Sequence, residues 1–291
     1  ETGLGGALDA SNVIETPELA VLTAMGMDHA AILGPTLRDI AAAKAGIIKP
    51  GGTVVSRGGC PQADEEFRRT CQEQGADLTE LDLSRLRVQR LDLEGAVFDF
   101  APWENLTIPL VGAYQVENAA LALTALEAMK KKGWSIPEEA VRQGLAAVRW
   151  PGRFEVLGKR PVFLLDGAHN AHGMRAAAES LRALFPGKRL TFLLGVLADK
   201  DAGEMLDLLA PLAERAFVLR PDSPRAMDPA ALCALLAERG VEARPCVSVE
   251  EGLNAALAAA GEAICALGSL YLCGEVRAAY TGKFPPPGTC R

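Results

Sequence analysis

At 291 residues, of which 49% are hydrophobic and 23% charged, the chain has enough material for two domains, each with its own core. A net charge of −7 without a dense Lys/Arg stripe argues against nucleic acid as a partner, although an acidic protein still binds anions locally through backbone amides. No apolar stretch approaches the length of a membrane span, no secretory signal pattern is read at the start, and the seven cysteines lie scattered with no C-x-x-C pair. Such a set reads as reduced thiols of a cytoplasmic protein, used as small core residues rather than for chemistry.

The first part alternates short β-like runs with helical patterns. Leu19 to Ala24 predicts a buried strand, with Asp28-His29 in the loop directly after it. Thr36 caps a predicted helix through Leu37, Ile40, Ala41 and Lys44 that ends at Gly46. Thr53 to Ser56 predicts a further strand and Pro61 to Gly75 a polar-faced helix, so the construction is βαβ. Between about Leu86 and Leu110 the period changes to two, with Glu94-Gly95 as a turn, which predicts a small antiparallel excursion. Helices follow from Gln115 to Lys131 and from Pro137 to Val148. Trp150-Pro151-Gly152 then breaks the pattern as a hinge or linker. A second βα series has predicted strands at Val162 to Leu165, Leu190 to Leu194, Arg215 to Val218 and Ala263 to Leu267, with Ala- and Leu-rich helices between them.

The most informative segment is Asp166-Gly167-Ala168-His169-Asn170, which follows the run Val162-Phe163-Leu164-Leu165 and precedes a helix from about Ala171. Open α/β sheets place ligand chemistry at the carboxyl ends of their strands. A polar turn with an Asn or Asp helix cap is the plain alternative. Three histidines occur, at 29, 169 and 172, and two of them follow predicted strands. With Glu1, these raise the prospect of a hard-cation site, because Mg²⁺ needs few protein ligands and completes its octahedron with water and phosphate. His172 reads as solvent-facing on its helix. Gly3, Gly5 and Gly6 beside Asp9, Ser11 and Asn12 form either a ligand-approaching loop or a tight turn. Lys44 lies among Ala41, Ala42, Ala43 and Ala45, an apolar setting that suits a snorkelling side chain or a desolvated amine. A neutral amine takes up CO₂ as a carbamate and so becomes an anionic metal ligand. Arg153 offers a guanidinium for a phosphate or for an ion pair, and Ser269 a cap for the last helix that could also meet substrate.

In this order, these residues resemble the folylpolyglutamate synthase and dihydrofolate synthase family, within the Mur ligase superfamily. The resemblance is carried by Glu1-Thr2-Gly3-Leu4-Gly5-Gly6-Ala7-Leu8-Asp9-Ala10-Ser11-Asn12, Asp28-His29, Lys44-Ala45-Gly46-Ile47-Ile48-Lys49 and Gln115 to Asn118. Trp150-Pro151-Gly152-Arg153-Phe154-Glu155, Asp166 to Asn170, Asp199-Lys200-Asp201 and Gly268-Ser269-Leu270-Tyr271-Leu272 complete the colinear series. It implies an α/β fold: the remainder of a central ATP-binding domain over residues 1–149, then a Rossmann-like glutamate-binding domain over residues 150–291. The implied activity is ATP-dependent addition of L-glutamate to a folate or dihydropteroate carboxylate in a cytoplasmic monomer. By the same resemblance, Glu1 and His29 hold Mg²⁺ together with carbamylated Lys44, while Asn118, Arg153 and Asp166 contact ATP, with Asn118 toward the adenine. His169 and Ser269 lie near the incoming glutamate, so that Lys44, His169 and Ser269 are the expected catalytic set. Ala7 and Ala43 depart from the family pattern, which usually has Arg or an aliphatic residue at the first position and often Glu at the second.

The family's phosphate loop and much of its pterin site precede the position of Glu1, and no G-x-x-x-x-G-K-[ST] loop occurs along these residues. The expectation is therefore a fragment of a longer protein that does not turn over alone, rather than a partial copy. In the complete enzyme, ATP turns a poor electrophile into an acyl phosphate, an amine captures it, and closure of two domains excludes water. The rival readings are another amide ligase of the same superfamily, such as a muramyl peptide ligase, and a non-catalytic nucleotide-binding module.

Overall fold

Parallel pairing organises the first unit. Strand β1 (Ala20–Leu22) pairs with β2 (Thr53–Ser56), and β2 with β3 (Asp77–Glu80), in the order β1-β2-β3. The computed structural model describes residues 4–259 and 261–284. Helices α1 (Ala30–Leu33) and α2 (Leu37–Ala45) lie in the first crossover and α3 (Pro61–Gln74) in the second. Thr36 starts α2 with a capping box: its hydroxyl accepts from Asp39 N–H, and the Asp39 carboxylate accepts from Thr36 N–H. Pro61 opens α3, where a missing N–H is harmless, and Gly75 closes it in the left-handed region at φ 60°. Ala20, Leu22 and Val54 meet Ala41, Ala45, Phe67 and Cys71 in the core of this unit. Strand β1 is shorter than the predicted Leu19 to Ala24, so residues 23–28 separate it from His29.

A second sheet follows, with β4 (Leu86–Asp92), β5 (Gly95–Phe100) and β6 (Trp103–Ile108) in that order. Its two-residue connections are possible only between antiparallel neighbours. Helices α4 (Ala113–Lys131) and α5 (Glu138–Ala147) complete this half. By compactness the first unit comprises Glu1–Arg90, Val97–Ile108 and Gln115–Ala147, and the second comprises Leu91–Ala96, Pro109–Tyr114 and Val148–Arg291. The chain thus alternates between the units before Val148.

The second unit is built on a six-stranded sheet. Its strands are β7 (Glu155–Lys159), β8 (Val162–Leu165), β9 (Leu190–Leu194), β10 (Ala213–Val218), β11 (Glu242–Pro245) and β12 (Ala263–Leu267), in the order β11-β10-β9-β12-β8-β7. All pairs are parallel except β7 with β8. Helices α6 (Ala171–Leu184), α7 (Ala202–Leu209) and α8 (Pro229–Ala237) bury Met174, Leu181, Met205, Leu206, Leu232 and Leu236 in one apolar cluster with Phe192, Val218 and Cys265 of the sheet. Helices α9 (Val249–Ala258) and α10 (Leu270–Lys283) bury Leu253, Leu272 and Val276 with Phe163, Leu193 and Ile264. The alternation of side chains along β8, β9, β10 and β12 divides each between these two clusters, as expected of strands covered on both faces. The chain skips one position between β8 and β9, and β12 later fills it. Strand order therefore reverses beside β8, and the carboxyl ends there are where such sheets bind ligands.

Candidate functional site

At the carboxyl end of β8, the backbone is threaded between segments that are distant in sequence. Gly167 N–H donates to the Gly152 carbonyl at 2.8 Å, and Gly268 N–H donates to the Ala168 carbonyl at 2.9 Å. A Cβ on Gly167 would stand 2.4 Å from Arg153 Nη1, 2.4 Å from Leu270 Cδ2 and 3.1 Å from the Gly152 carbonyl oxygen, so those two side-chain ends close over this backbone. The structure therefore brings Arg153, Asp166, His169 and Ser269 together around one backbone crossing. His169 Nδ1 lies 2.8 Å from the Gly167 carbonyl; a carbonyl only accepts, so this nitrogen carries the proton. Ser269 is wholly buried and caps α10, its hydroxyl accepting from Tyr271 N–H at 3.2 Å. Asn170 caps α6 by accepting from Gly173 N–H at 2.8 Å, and His172 is exposed. Both helix caps thus lie in short loops that follow a strand, Asn170 after Leu165 for α6 and Ser269 after Leu267 for α10.

Asp166 is 4% exposed and organises this end. Its carboxylate accepts from Phe154 N–H at 2.8 Å, from Ala168 N–H at 2.9 Å and from the Tyr114 hydroxyl at 3.2 Å. Burial pushes its pKa above the ordinary Asp value, against the opposing pull of the Ala168 and Phe154 amides, the Tyr114 hydroxyl and the Arg153 charge. The bond to Phe154 holds that buried residue at φ 47°, a left-handed conformation that costs a non-glycine about 1–2 kcal/mol. Tyr114 was not singled out in the sequence, and Phe154 entered only as part of the Trp150 to Glu155 stretch, with no role of its own. Their link to Asp166 spans distant positions and leaves no periodic trace. The thiols nearby are inert: burial, then the Asp166 charge, raises the pKa of Cys265 and pushes that of Cys273 up to about 12.

In the first unit the glycine-rich loop packs on the carboxyl end of α2. A Cβ on Gly6 would lie 2.6 Å from the Ala43 carbonyl oxygen and 2.8 Å from that of Lys44. One on Gly46 would meet Ala7 at 2.5 Å. Asn12 Nδ2 ties the two together by donating to the Ala7 carbonyl at 3.2 Å and the Gly46 carbonyl at 3.1 Å. Among the described residues these glycines serve close backbone approach, and they set the helix turn that carries Lys44. Lys44 is half-buried beside Ala41 and Ala45, which are buried.

His29 is the N-cap of α1 at φ 54°, 42% exposed at its side chain, with Nε2 3.8 Å from Asp28 Oδ2. Asn118 is exposed on α4, and its Nδ2 donates to Gln115 Oε1 at 3.1 Å. Glu1, expected to hold metal, lies outside the described residues. Among the described residues no group of three or more His, Cys, Asp or Glu side chains is arranged to hold a metal ion. An imidazole backed by a carboxylate, with a lysine that becomes anionic only as a carbamate, is still a donor set compatible with an ion that keeps most of its shell as water and phosphate oxygen. No helix among the described residues is long and apolar enough to cross a membrane.

A six-stranded sheet, parallel but for its edge strand β7, with its polar loops gathered where strand order reverses, defines the class. Residues 152–270 match the Mur ligase, glutamate ligase domain. The chain is 36% identical to the folylpolyglutamate synthase of Lacticaseibacillus casei, over 97% of its own length and 66% of that protein. It is also 36% identical to the dihydrofolate synthase/folylpolyglutamate synthase of Bacillus subtilis, over 78% of its length and 54% of that protein. Among solved structures, the Mycobacterium tuberculosis folylpolyglutamate synthase complexed with ADP and AMPPCP superposes with a TM-score of 0.86 at 31% identity, over 96% of this chain and 67% of that one. The chain belongs to the folylpolyglutamate synthase/dihydrofolate synthase family and has its Mur-ligase fold. It spans about half to two thirds of the length of these curated relatives.

Proposed function

We propose that this protein works as an ATP-dependent ligase that joins L-glutamate to the carboxylate of a folate or dihydropteroate. One observation carries the reading: Arg153, Asp166, His169 and Ser269 converge on a single backbone crossing at the reversal of strand order, inside the segment that matches a glutamate ligase domain. The substrate carboxylate attacks the γ-phosphorus of ATP, ADP leaves, and the acid becomes an acyl phosphate with a good leaving group. The α-amine of glutamate, having lost its proton, attacks the acyl carbon; the tetrahedral oxyanion collapses, phosphate departs and an amide remains.

Within this reading, residues 1–149 form the remainder of the nucleotide domain, and residues 150–291 form the domain that receives glutamate. Asn118 faces the adenine, and the Arg153 guanidinium offers parallel N–H donors to phosphate oxygens. Asp166 serves the nucleotide through its hold on the Arg153–Phe154 segment, since its oxygens already accept three internal hydrogen bonds. His169 and Ser269 orient the glutamate. Glu1, His29 and a Lys44 carbamate would hold Mg²⁺, which when bound neutralises phosphate charge. The protein is read as a cytoplasmic monomer that binds neither nucleic acid nor membrane.

Glutamate-dependent ADP release by the full-length protein, measured with dihydropteroate, tetrahydrofolate or a muramyl peptide as acceptor, tests the proposal. Release with a pterin acceptor is the expected result. Release with the muramyl acceptor alone transfers the protein to another branch of the superfamily, and ADP release with none of the three rejects the ligase reading.

A further inference from the structure

The first turns of α4 carry two carboxamides one helical turn apart. Gln115 is 6% exposed, and its Oε1 accepts from Asn118 Nδ2 at 3.1 Å. Its neighbours on the helix, Val116, Ala119 and Ala120, are buried, whereas Asn118 is exposed. The same stretch is braced from β2: Arg57, just past that strand, donates to the Glu117 carboxylate and to the Gly58 carbonyl at 3.0 Å. A Cβ on Gly59 would lie 2.3 Å from Arg57 Nη1, and Gly58 and Gly59 both have positive φ, so this loop is shaped to seat the guanidinium.

A buried glutamine is costly unless its carboxamide is used. Here its oxygen takes one Asn118 Nδ2 hydrogen, and as long as the buried Gln115 carboxamide keeps that direction it sets which way round the Asn118 carboxamide stands. With Nδ2 turned to Gln115, a half-turn of the Asn118 group would set Oδ1 against Oε1, two acceptors facing each other. What Asn118 presents outward is therefore an acceptor, Oδ1, at a fixed place, with the remaining N–H beside it. A purine with an exocyclic amine at C6 supplies a donor to that acceptor and a ring nitrogen to that N–H, the pairing that asparagine makes with adenine. A purine with a carbonyl at C6 would instead bring oxygen to oxygen and leave polar groups unpaired.

Resting on the reading that Asn118 meets the base, we infer that Gln115 is a positioning residue. It locks the Asn118 carboxamide in one orientation and so makes the nucleotide site prefer a 6-amino over a 6-oxo purine.

The test is steady-state turnover and direct binding of ATP and GTP by the full-length protein. In Gln115→Met, which keeps the length but removes the acceptor, the KM for ATP rises and kcat holds. The ATP-over-GTP preference falls by roughly ten- to a hundredfold. Gln115→Glu, which still offers oxygen to Asn118 Nδ2, retains the preference. An unchanged preference in Gln115→Met, or an equal loss in Gln115→Glu, overturns the inference. Should Gln115→Met fail to fold by circular dichroism, Gln115→Asn, with the acceptor drawn back by one methylene, is judged on the same ratio. Asn118→Ala separates the two levels. If it weakens ATP while Gln115→Met leaves the preference intact, only the role of Gln115 fails. If Asn118→Ala binds ATP as before, the base contact itself is wrong.

Discussion

The two units hold their candidate residues in opposite ways. At the carboxyl end of β8, Arg153, Asp166, His169 and Ser269 are joined through backbone and side-chain hydrogen bonds between segments far apart in sequence. In the first unit, His29 is paired with its neighbour Asp28, Asn118 is oriented from one turn away, and Lys44 rides on a helix end set by a packed loop. The difference teaches that the second unit's end is inseparable from its fold, whereas the first unit displays single side chains on a scaffold that stands without them. Substitutions should accordingly damage stability and function together in the second unit, and separately in the first.

The sharpest break between these effects is expected at Lys44. Lys44→Ala in the full-length protein should cut glutamate-dependent ADP release by roughly a thousandfold, the scale of losing one electrostatic catalytic group, and leave the urea midpoint unmoved. Added short carboxylates should restore part of the rate; turnover that survives the substitution rejects the carbamate role. Gly167→Ala is the opposite case. Its Cβ would displace the ends of Arg153 and Leu270, 2.4 Å away, and press on the Gly152 carbonyl at 3.1 Å, so unfolding free energy should fall by about 1 kcal/mol and turnover with it. An alanine variant of wild-type stability would show that the crossing is looser than described.

Asp166 sharpens the comparison through pH. Its folded pKa lies above the unfolded value because of burial, opposed by its hydrogen-bond donors and Arg153. The stability it contributes is thus complete below the ordinary Asp pKa of about 3.9 and is lost as pH rises through the raised folded value. Asp166→Asn does not titrate, so the stability difference between wild type and variant should shrink with rising pH across that window. Urea titrations at successive pH values would read this, and a flat difference would reject the buried-carboxyl account. The smallest effect is expected at Thr36, whose alanine variant loses the capping box of α2 for about 1 kcal/mol while activity is retained. A large loss of activity there would mean that the first unit's scaffold and chemistry are not separable.

The legible and illegible parts of this fold divide along sheet edges. Thr53 to Ser56, Val162 to Leu165, Leu190 to Leu194 and Ala263 to Leu267 were predicted to the residue, because strands covered on both faces are continuous apolar runs. The strands missed, β3, β7 and β11, are each an edge of a sheet. Glu242–Pro245 is mostly exposed and contains proline, while Glu155–Lys159 carries a glycine and a register shift between Val156 and Gly158, so neither shows alternation. At the candidate site, the loop after β8 was legible because Asp, His and Asn together at a strand end are costly unless used. The Tyr114 and Phe154 partners of Asp166 were not, since a contact across distant positions has no period. His29 was placed immediately after a strand, whereas it follows six non-strand residues and caps α1, because apolar residues up to Ala24 extend the β-like pattern past its hydrogen-bonded end.

The position of β12 bears on how the protein comes off the ribosome. The last strand among the described residues, Ala263–Leu267, is the wedge between β8 and β9, so neither can find its final neighbour while translation is still short of it. Nascent chains ending before Ala263 would expose two unsatisfied strand flanks, and the loop with Asp166 would have no Gly268 to grip. Acquisition of this half should therefore be late and abrupt, with protease resistance of ribosome-bound intermediates rising in one step once residues beyond 267 have left the exit tunnel.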